Sequence, residues 1–266
     1  MRLREGPPER CREVLYHASI LVCSGKPPPF LRRKSTEWRV RIVADRYFTL
    51  DTISFMAELA EHNNREWFSA NKTRYEDLVK DPALRFIEAF AAELKNISPH
   101  FLATPRSLFR IYRDARFSRD KSPYKTWTGI QFRHDASKDV HAPGYYLHIE
   151  PGSIFVSLGV WHPDPPSLRA IREHIVAGPR SWKKASQNKQ FSDAFRLSGD
   201  RLKRPPKGFE PSHELIEELK WKDYIAAKDV SQSFLTDAAL PQELARIFKI
   251  GTPLMKFLCS ALAVPF

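Results

Sequence analysis

Cysteine is scarce in this chain. Its 266 residues hold three, Cys11, Cys23 and Cys259, far apart in sequence. That spacing supports neither a disulfide framework nor a thiolate zinc site, and it fits a reducing, cytoplasmic compartment. Long apolar runs are missing too: none approaches the ~20 residues that span a bilayer, so no membrane partner is expected. The apolar stretch Val14 to Cys23 follows a basic start, as in a signal peptide, but Glu5, Glu9 and Glu13 spoil the charge pattern and His17 interrupts the core. A targeting segment is therefore the minor reading. No GxGxxG or GxxxxGK[ST] loop is present, no serine elbow, and no HxxxH pair at helical spacing. No cofactor follows from the sequence.

Acids are outnumbered. There are 43 Lys+Arg against 31 Asp+Glu, a net charge of +12. The excess is local. Residues 1–46 hold eleven basic and five acidic residues, and residues 106–125 hold seven and two, so about one net positive charge is left for all other positions. A local excess can be read as a site, and it favours phosphate-bearing partners, small or polymeric. Within residues 1–46, Lys26-Pro-Pro-Pro29 and the charged run Leu31 to Arg41 read as linker. The sequence thus divides into a basic, Pro-containing extension, 1–46, and one folded domain, 47–266.

Helical spacing opens that domain. Thr49 is the expected N-cap of a helix carrying Ile53, Met56, Leu59 and Ala60, with Phe48 as half of a hydrophobic staple. Asn64 is expected to cap a second helix with Trp67, Phe68, Tyr75 and Leu78. Asp81-Pro82 starts a third, with Phe86, Ile87, Phe90, Leu94 and Ile97 on its face. The period then falls to two at Leu108 to Tyr112, Trp127 to Arg133, Tyr145 to Glu150 and Ile154 to Trp161. Pro151-Gly152 marks a tight turn between the last two. Helices are expected again at Pro166 to Val176, Ser181 to Phe195, Ser212 to Leu219 and Pro241 to Leu262. The fold class is α+β: a small antiparallel sheet of about four strands, within 107–161, flanked by N-terminal and C-terminal helices.

The chemistry concentrates between Arg110 and Lys125. Arg110, Arg113, Arg116, Lys121 and Lys125 are candidate anion ligands, with Tyr124 beside them and Asp114 and Asp120 orienting the guanidinium groups. Arginine offers a planar fork that grips phosphate or carboxylate through two parallel hydrogen bonds. Tyr112, Phe117 and Tyr124 interleave with the charges. The competing reading is a salt-bridged brace, Arg113–Asp114–Arg116 with Asp120–Lys121, that holds a long loop. Two carboxylates cannot match seven cations, and this imbalance favours an external anion.

The pattern Arg-x-x-Arg-Asp-x-Arg-Phe-x-x-Asp-Lys-x-Pro-Tyr-Lys, from Arg110 to Lys125, resembles the signature of a widespread microbial family, domain of unknown function 2461. Asn63-Asn-Arg-Glu-Trp-Phe68 with Tyr75, Gly144-Tyr-Tyr-Leu-His-Ile-Glu-Pro151 and Leu202-Lys-Arg-Pro-Pro-Lys-Gly-Phe209 agree with it. The resemblance covers roughly 47–266 and leaves 1–46 outside. It implies a fold group and no activity, so no catalytic residue is carried over.

Secondary candidates lie on the strands. His148 and Glu150, at i and i+2, project from one face and are the candidate acid–base pair. His141, His162 and Asp164 could join them around a divalent metal, but a hydrogen-bonded structural histidine is the simpler reading, and no metal site is assigned. Asn64, Arg65 and Asn71 are candidate pocket-lining residues. Leu202 to Lys207 is a second basic loop, stiffened by its two prolines. Ser118 and Ser122 lack a nearby histidine, and Cys259 reads as core. Three functions remain open: a pocket for a phosphate-bearing small molecule or nucleotide, with or without catalysis; a nucleic-acid-binding module; and a structural protein whose arginines brace a loop.

Overall fold

The computed structural model describes residues 46–114, 116, 119–136 and 142–266. Helix α1, Leu50–Glu61, starts at Thr49, whose backbone N–H donates to the Thr52 hydroxyl at 3.2 Å. The Asn64 side chain accepts from the Trp67 N–H at 2.9 Å and opens α2, Arg65–Ala70. A short α3, Lys72–Tyr75, then runs through one π turn, Glu76–Lys80, into α4, Asp81–Lys95. Pro82 explains that turn. It has no N–H to give the carbonyl four residues back, at Leu78, and its ring crowds that oxygen. The buried Thr52 hydroxyl donates to the Leu78 carbonyl instead, at 2.8 Å. A proline that would break the helix is thus absorbed by α1.

Six strands form one antiparallel sheet, in the order β1-β2-β3-β4-β6-β5. They are β1 Phe101–Leu102, β2 Thr128–His134, β3 Gly144–Glu150, β4 Ser153–Val160, β5 Arg196–Ser198 and β6 Tyr224–Asp229. Pro151 and Gly152 join β3 to β4, with Gly152 at φ 80° and Glu150 opposite Ser153. Alternation divides the sheet. Ile130 and Phe132, Tyr145, Leu147 and Ile149, and Val156 and Leu158 face the core. They meet α4 and two C-terminal helices, α10 Leu240–Ile250 and α11 Thr252–Ala261. Phe90 lies 4.8 Å from Phe132 and Phe248 lies 4.7 Å from Tyr145, ring centre to ring centre. Between β4 and α10 come α5 Pro165–Ala177, α6 Pro179–Ser186, α7 Lys189–Ala194, α8 Ile216–Leu219 and α9 Gln232–Leu235. Cys259 is buried among these residues, as expected for core, and burial pushes its thiol up to about 12.

The α+β class is as the sequence reads, with six strands where about four are expected. The additional strands are short or late: β1 has two residues, β5 three, and β6 centres on the adjacent Ala226 and Ala227, which carry little periodic signal. Leu108 to Tyr112 is not a regular strand. The segment from β1 runs along the outer edge of β2, is interrupted by a 3₁₀ turn at Pro105–Ser107, and returns with Leu108 bridging Ile130. Three expected helices are broken: the one carrying Trp67 to Leu78 divides at Asn71 into α2 and α3, with Leu78 in the π turn, and two later ones divide as well. Asn188 caps α7 by accepting from the Phe191 N–H, splitting 181–195. The expected helix 241–262 divides at Gly251, because Pro253 has no N–H to give the Lys249 carbonyl; glycine at 251 lets Leu158 approach closely. Residues 1–45, including Cys11, Cys23 and nearly all of the extension, lie outside the described residues, as do Phe117, Ser118 and His141.

Candidate functional site

The arginine segment is a hairpin-like excursion from the sheet edge. Tyr112 bridges Tyr124, the Arg113 N–H donates to the Pro123 carbonyl at 2.9 Å, and the Lys125 N–H donates to the Ile111 carbonyl at 2.8 Å. These bonds leave the N–H and C=O of Tyr124 pointing outward. Asn63 meets both: its Nδ2 donates to the Tyr124 carbonyl at 3.0 Å and its Oδ1 accepts from the Tyr124 N–H at 3.1 Å. A side-chain amide thus stands in for a neighbouring strand. The Tyr124 ring stacks on Phe68 of α2 at 4.1 Å. Phe55, Met56, Leu59, Phe68, Tyr75, Val79, Ile111 and Tyr124 form a small core of their own beneath the loop.

Both acids of the loop are engaged by its arginines. Arg113 pairs with Asp120 and donates to the Ser122 hydroxyl at 2.9 Å. Asp120 also accepts from the Ser122 N–H at 2.9 Å, closing the tip just before Pro123. That backbone bond, then Arg113, draws the Asp120 carboxyl down to about 2. Arg116 meets Asp114 with two nitrogens, at 2.9 and 2.6 Å, and holds the Asp114 carboxyl down at about 2. Lys125 Nζ donates to the Arg110 carbonyl at 3.1 Å and sits over the rings of Phe109 and Trp127. Arg110 is exposed, and its side chain has no ion-pair partner among the described residues. Four of the residues read from the sequence as anion ligands and orienting groups, Arg113, Arg116, Asp114 and Asp120, thus make two ion pairs, and Arg113 adds a loop-closing contact to the Ser122 hydroxyl.

Where the α1–α2 turn meets this loop, an open depression of about 720 Å³ forms. It is lined by Asn63, Asn64, Arg65, Glu66, Lys121, Ser122 and Pro123. Asn64 and Arg65 line it as the sequence suggests. Asn71 does not: its amide is tied to the Trp67 carbonyl and to Arg74. Arg65 has no ion-pair partner among the described residues. Lys121, from the arginine loop, is exposed.

His148 and Glu150 lie on the sheet face away from the helices and do come together. His148 Nε2 is 3.2 Å from Glu150 Oε2, and its Nδ1 is 2.9 Å from the Tyr146 hydroxyl. The ring is buried, stacked on Phe155 at 4.5 Å and flanked by Trp127 at 5.2 Å. Both ring nitrogens therefore have partners. Thr126 Oγ1 donates to Glu150 at 3.4 Å, tying the base of the arginine loop to this pair. Gly129 makes room for it, since a Cβ there would stand 2.6 Å from the Tyr146 hydroxyl.

Among the described residues, His100, His134 and Asp135 bring three possible metal-ligand atoms within 4.8 Å of one another. The buried His134 is already occupied: Nε2 is 2.7 Å from the Pro265 carbonyl, and Nδ1 accepts from the Ala136 N–H at 3.0 Å. The geometry is that of a ring pinning the C-terminus. His162 and Asp164, near the end of β4, do not join His148 and Glu150, which sit at the strand's other end.

These features define an α+β protein with an antiparallel six-stranded sheet and a braced cationic loop docked on its N-terminal helices. The family model described as conserved hypothetical protein (DUF2461) matches residues 51–257, and the chain belongs to that family. No curated protein and no solved structure matches the chain. The match spans the α1–α2 turn and the arginine loop, the two segments that build the depression. Asn63 and Tyr146 escape a sequence reading of the site because their roles depend on contacts: Asn63 meets a residue 61 positions away.

Proposed function

We propose that the protein binds a phosphate-bearing small molecule or nucleotide in the depression between the α1–α2 turn and the arginine loop. One observation carries this reading. Two segments some sixty residues apart are locked together by the Asn63 clamp, and their junction forms an open polar hollow lined by Arg65 from one segment and Lys121 from the other. Donors there include the Asn64 amide, the Arg65 guanidinium and the Lys121 ammonium, which suit phosphate oxygens. Glu66 is the one acid on the rim. In this reading Arg113, Asp114, Arg116 and Asp120 shape the loop, and Arg110 and Lys125 add to its positive field. The geometry favours a structural role for His148, whose nitrogens are both bonded, so binding without catalysis at this site is the better-supported form.

The test is a thermal shift of the native chain with inorganic phosphate and nucleoside monophosphates, compared with the double variant Arg65→Ala, Lys121→Ala. Stabilisation of the native chain that disappears in the variant is expected. An equal shift in both removes the reading. The competing reading, in which the loop is a brace only, draws on the Arg113–Asp120 and Arg116–Asp114 pairs. It predicts no shift with any of these ligands. Nucleic-acid binding would instead show affinity that falls steeply with salt.

A further inference from the structure

A second site lies at the opposite end of β4, some eight residues or about 26 Å along the strand from the arginine loop. There Asp223, 2% exposed, receives three donors. Its Oδ1 accepts from the backbone N–H of His162 at 2.8 Å and lies 2.6 Å from that residue's Nδ1; its Oδ2 accepts from the Asp200 N–H at 3.0 Å. A carboxylate only accepts, so the Nδ1 that meets it carries the proton and Nε2 presents a lone pair. Nε2 has no hydrogen-bond partner among the described residues, and the His162 side chain is 34% exposed. His148 and His134, by contrast, are buried with both nitrogens engaged.

The backbone is shaped around this pair. His162 takes φ 46°, a left-handed conformation uncommon outside glycine. Gly199, at φ 122°, passes so close to Asp223 that a Cβ would stand 2.6 Å from the aspartate's own. Trp161 stacks on the imidazole at 4.2 Å and fixes the plane of the ring.

Asp200 leads directly into the second basic loop. Its root is held by the Leu202 N–H, which donates to the Lys220 carbonyl at 2.8 Å, and by Arg201, stacked over Trp221 at 4.4 Å. Pro206 is buried and Phe209 packs against the core, so the loop is anchored at both ends. Lys203, Arg204 and Lys207 are exposed and have no ion-pair partner among the described residues. Cations on an anchored loop whose root, at Asp200, is bonded to the same aspartate that holds the imidazole favour a phosphate ester. A diester fits better than a monoester, whose loose transition state has little need of a base on the attacking water.

We propose that His162 and Asp223 form a proton-transfer dyad that hydrolyses a phosphodiester, at a site separate from the depression and independent of it. Nε2 takes a proton from water as the water oxygen bonds to phosphorus. On the far side of phosphorus the bond to the departing oxygen breaks, that oxygen keeps the electron pair and takes a proton from solvent water, and Nε2 releases its own proton to solvent. Diester and water become monoester and alcohol, and the imidazole is regenerated. His162 is the catalytic residue; Asp223 is a positioning residue that sets the tautomer; Lys203, Arg204 and Lys207 attract the substrate.

The experiment measures p-nitrophenolate released from bis(p-nitrophenyl) phosphate by the full chain. His162→Asn is the deciding variant. Asparagine tolerates the left-handed backbone and its amide can still donate to Asp223, but it has no counterpart of Nε2. Turnover by the native chain with a loss of at least about 100-fold in kcat in that variant is expected. Asp223→Asn should lower kcat with KM kept, and Arg204→Ala with Lys207→Ala should raise KM with kcat kept. No release by the native chain, or a rate that His162→Asn leaves unchanged, overturns the proposal.

Discussion

At the scale of single residues, the arginine loop turns on how two carboxylates share many cations. Charge counting leaves five cations unmatched, yet in the structure Arg113 and Arg116 hold Asp120 and Asp114 directly. Of the cations left over, Lys125 and Lys121 donate to the Arg110 and Arg116 carbonyls, while Ser122 adds its N–H to Asp120 and its hydroxyl to Arg113. Such partners are invisible to a count of charges. The arrangement has a signature in pH. Both carboxyls sit at about 2, below the ordinary 3.8. A depressed carboxyl contributes order that is complete above its ordinary value and is lost as pH falls through the depressed one. The loop should therefore keep its conformation at pH 4 and loosen toward pH 2. Carboxyl carbon shifts of Asp114 and Asp120, followed by NMR, should titrate with midpoints near 2. Midpoints near 3.8 would show the pairs to be open in solution.

At the scale of elements, much was readable from the sequence. The caps at Thr49 and Asn64, the helix at Asp81-Pro82 and the Pro151-Gly152 turn each rest on a residue acting on its immediate neighbours, and local chemistry is what a sequence displays. What it hides is pairing at a distance. β1 and β5 are too short to show a period, Asp223 meets His162 across 61 residues, and Thr52 compensates Pro82 from another helix. The Asn63 clamp belongs to the same class, and it makes the loop stem depend on the α1–α2 turn. Asn63→Ala should leave the outward N–H and C=O of Tyr124 without protein partners, costing about 2–3 kcal/mol. Urea denaturation would read that loss, and amide exchange at Tyr124 should quicken well beyond the global change. Unaltered exchange there would mean that the clamp does not hold the loop.

At the scale of the whole molecule, two apolar clusters share one helix. Phe48 and Ile53 at the start of α1 belong to the large core, while Phe55, Met56 and Leu59 belong to the small core beneath the arginine loop. We propose that residues 47–266 form one folding unit, as the sequence suggests, because α1 cannot leave either cluster alone. Tryptophan fluorescence and far-UV circular dichroism should then report a single coincident transition in urea; two separated steps would divide the chain into two units. No helix of the described residues is long and apolar enough to cross a membrane. Within the arginine loop the positive charge falls in two places: ion pairs that brace the loop, and Lys121 at the hollow that also includes Arg65 of α2.

The most direct test of that hollow is a titration of the full chain with inorganic phosphate, followed by amide NMR. Saturating shifts confined to Asn64, Arg65, Lys121 and Ser122 and their neighbours are predicted, with none in the Arg65→Ala, Lys121→Ala variant. Shifts scattered over exposed cations without saturation, or no shift at these four residues, would contradict it.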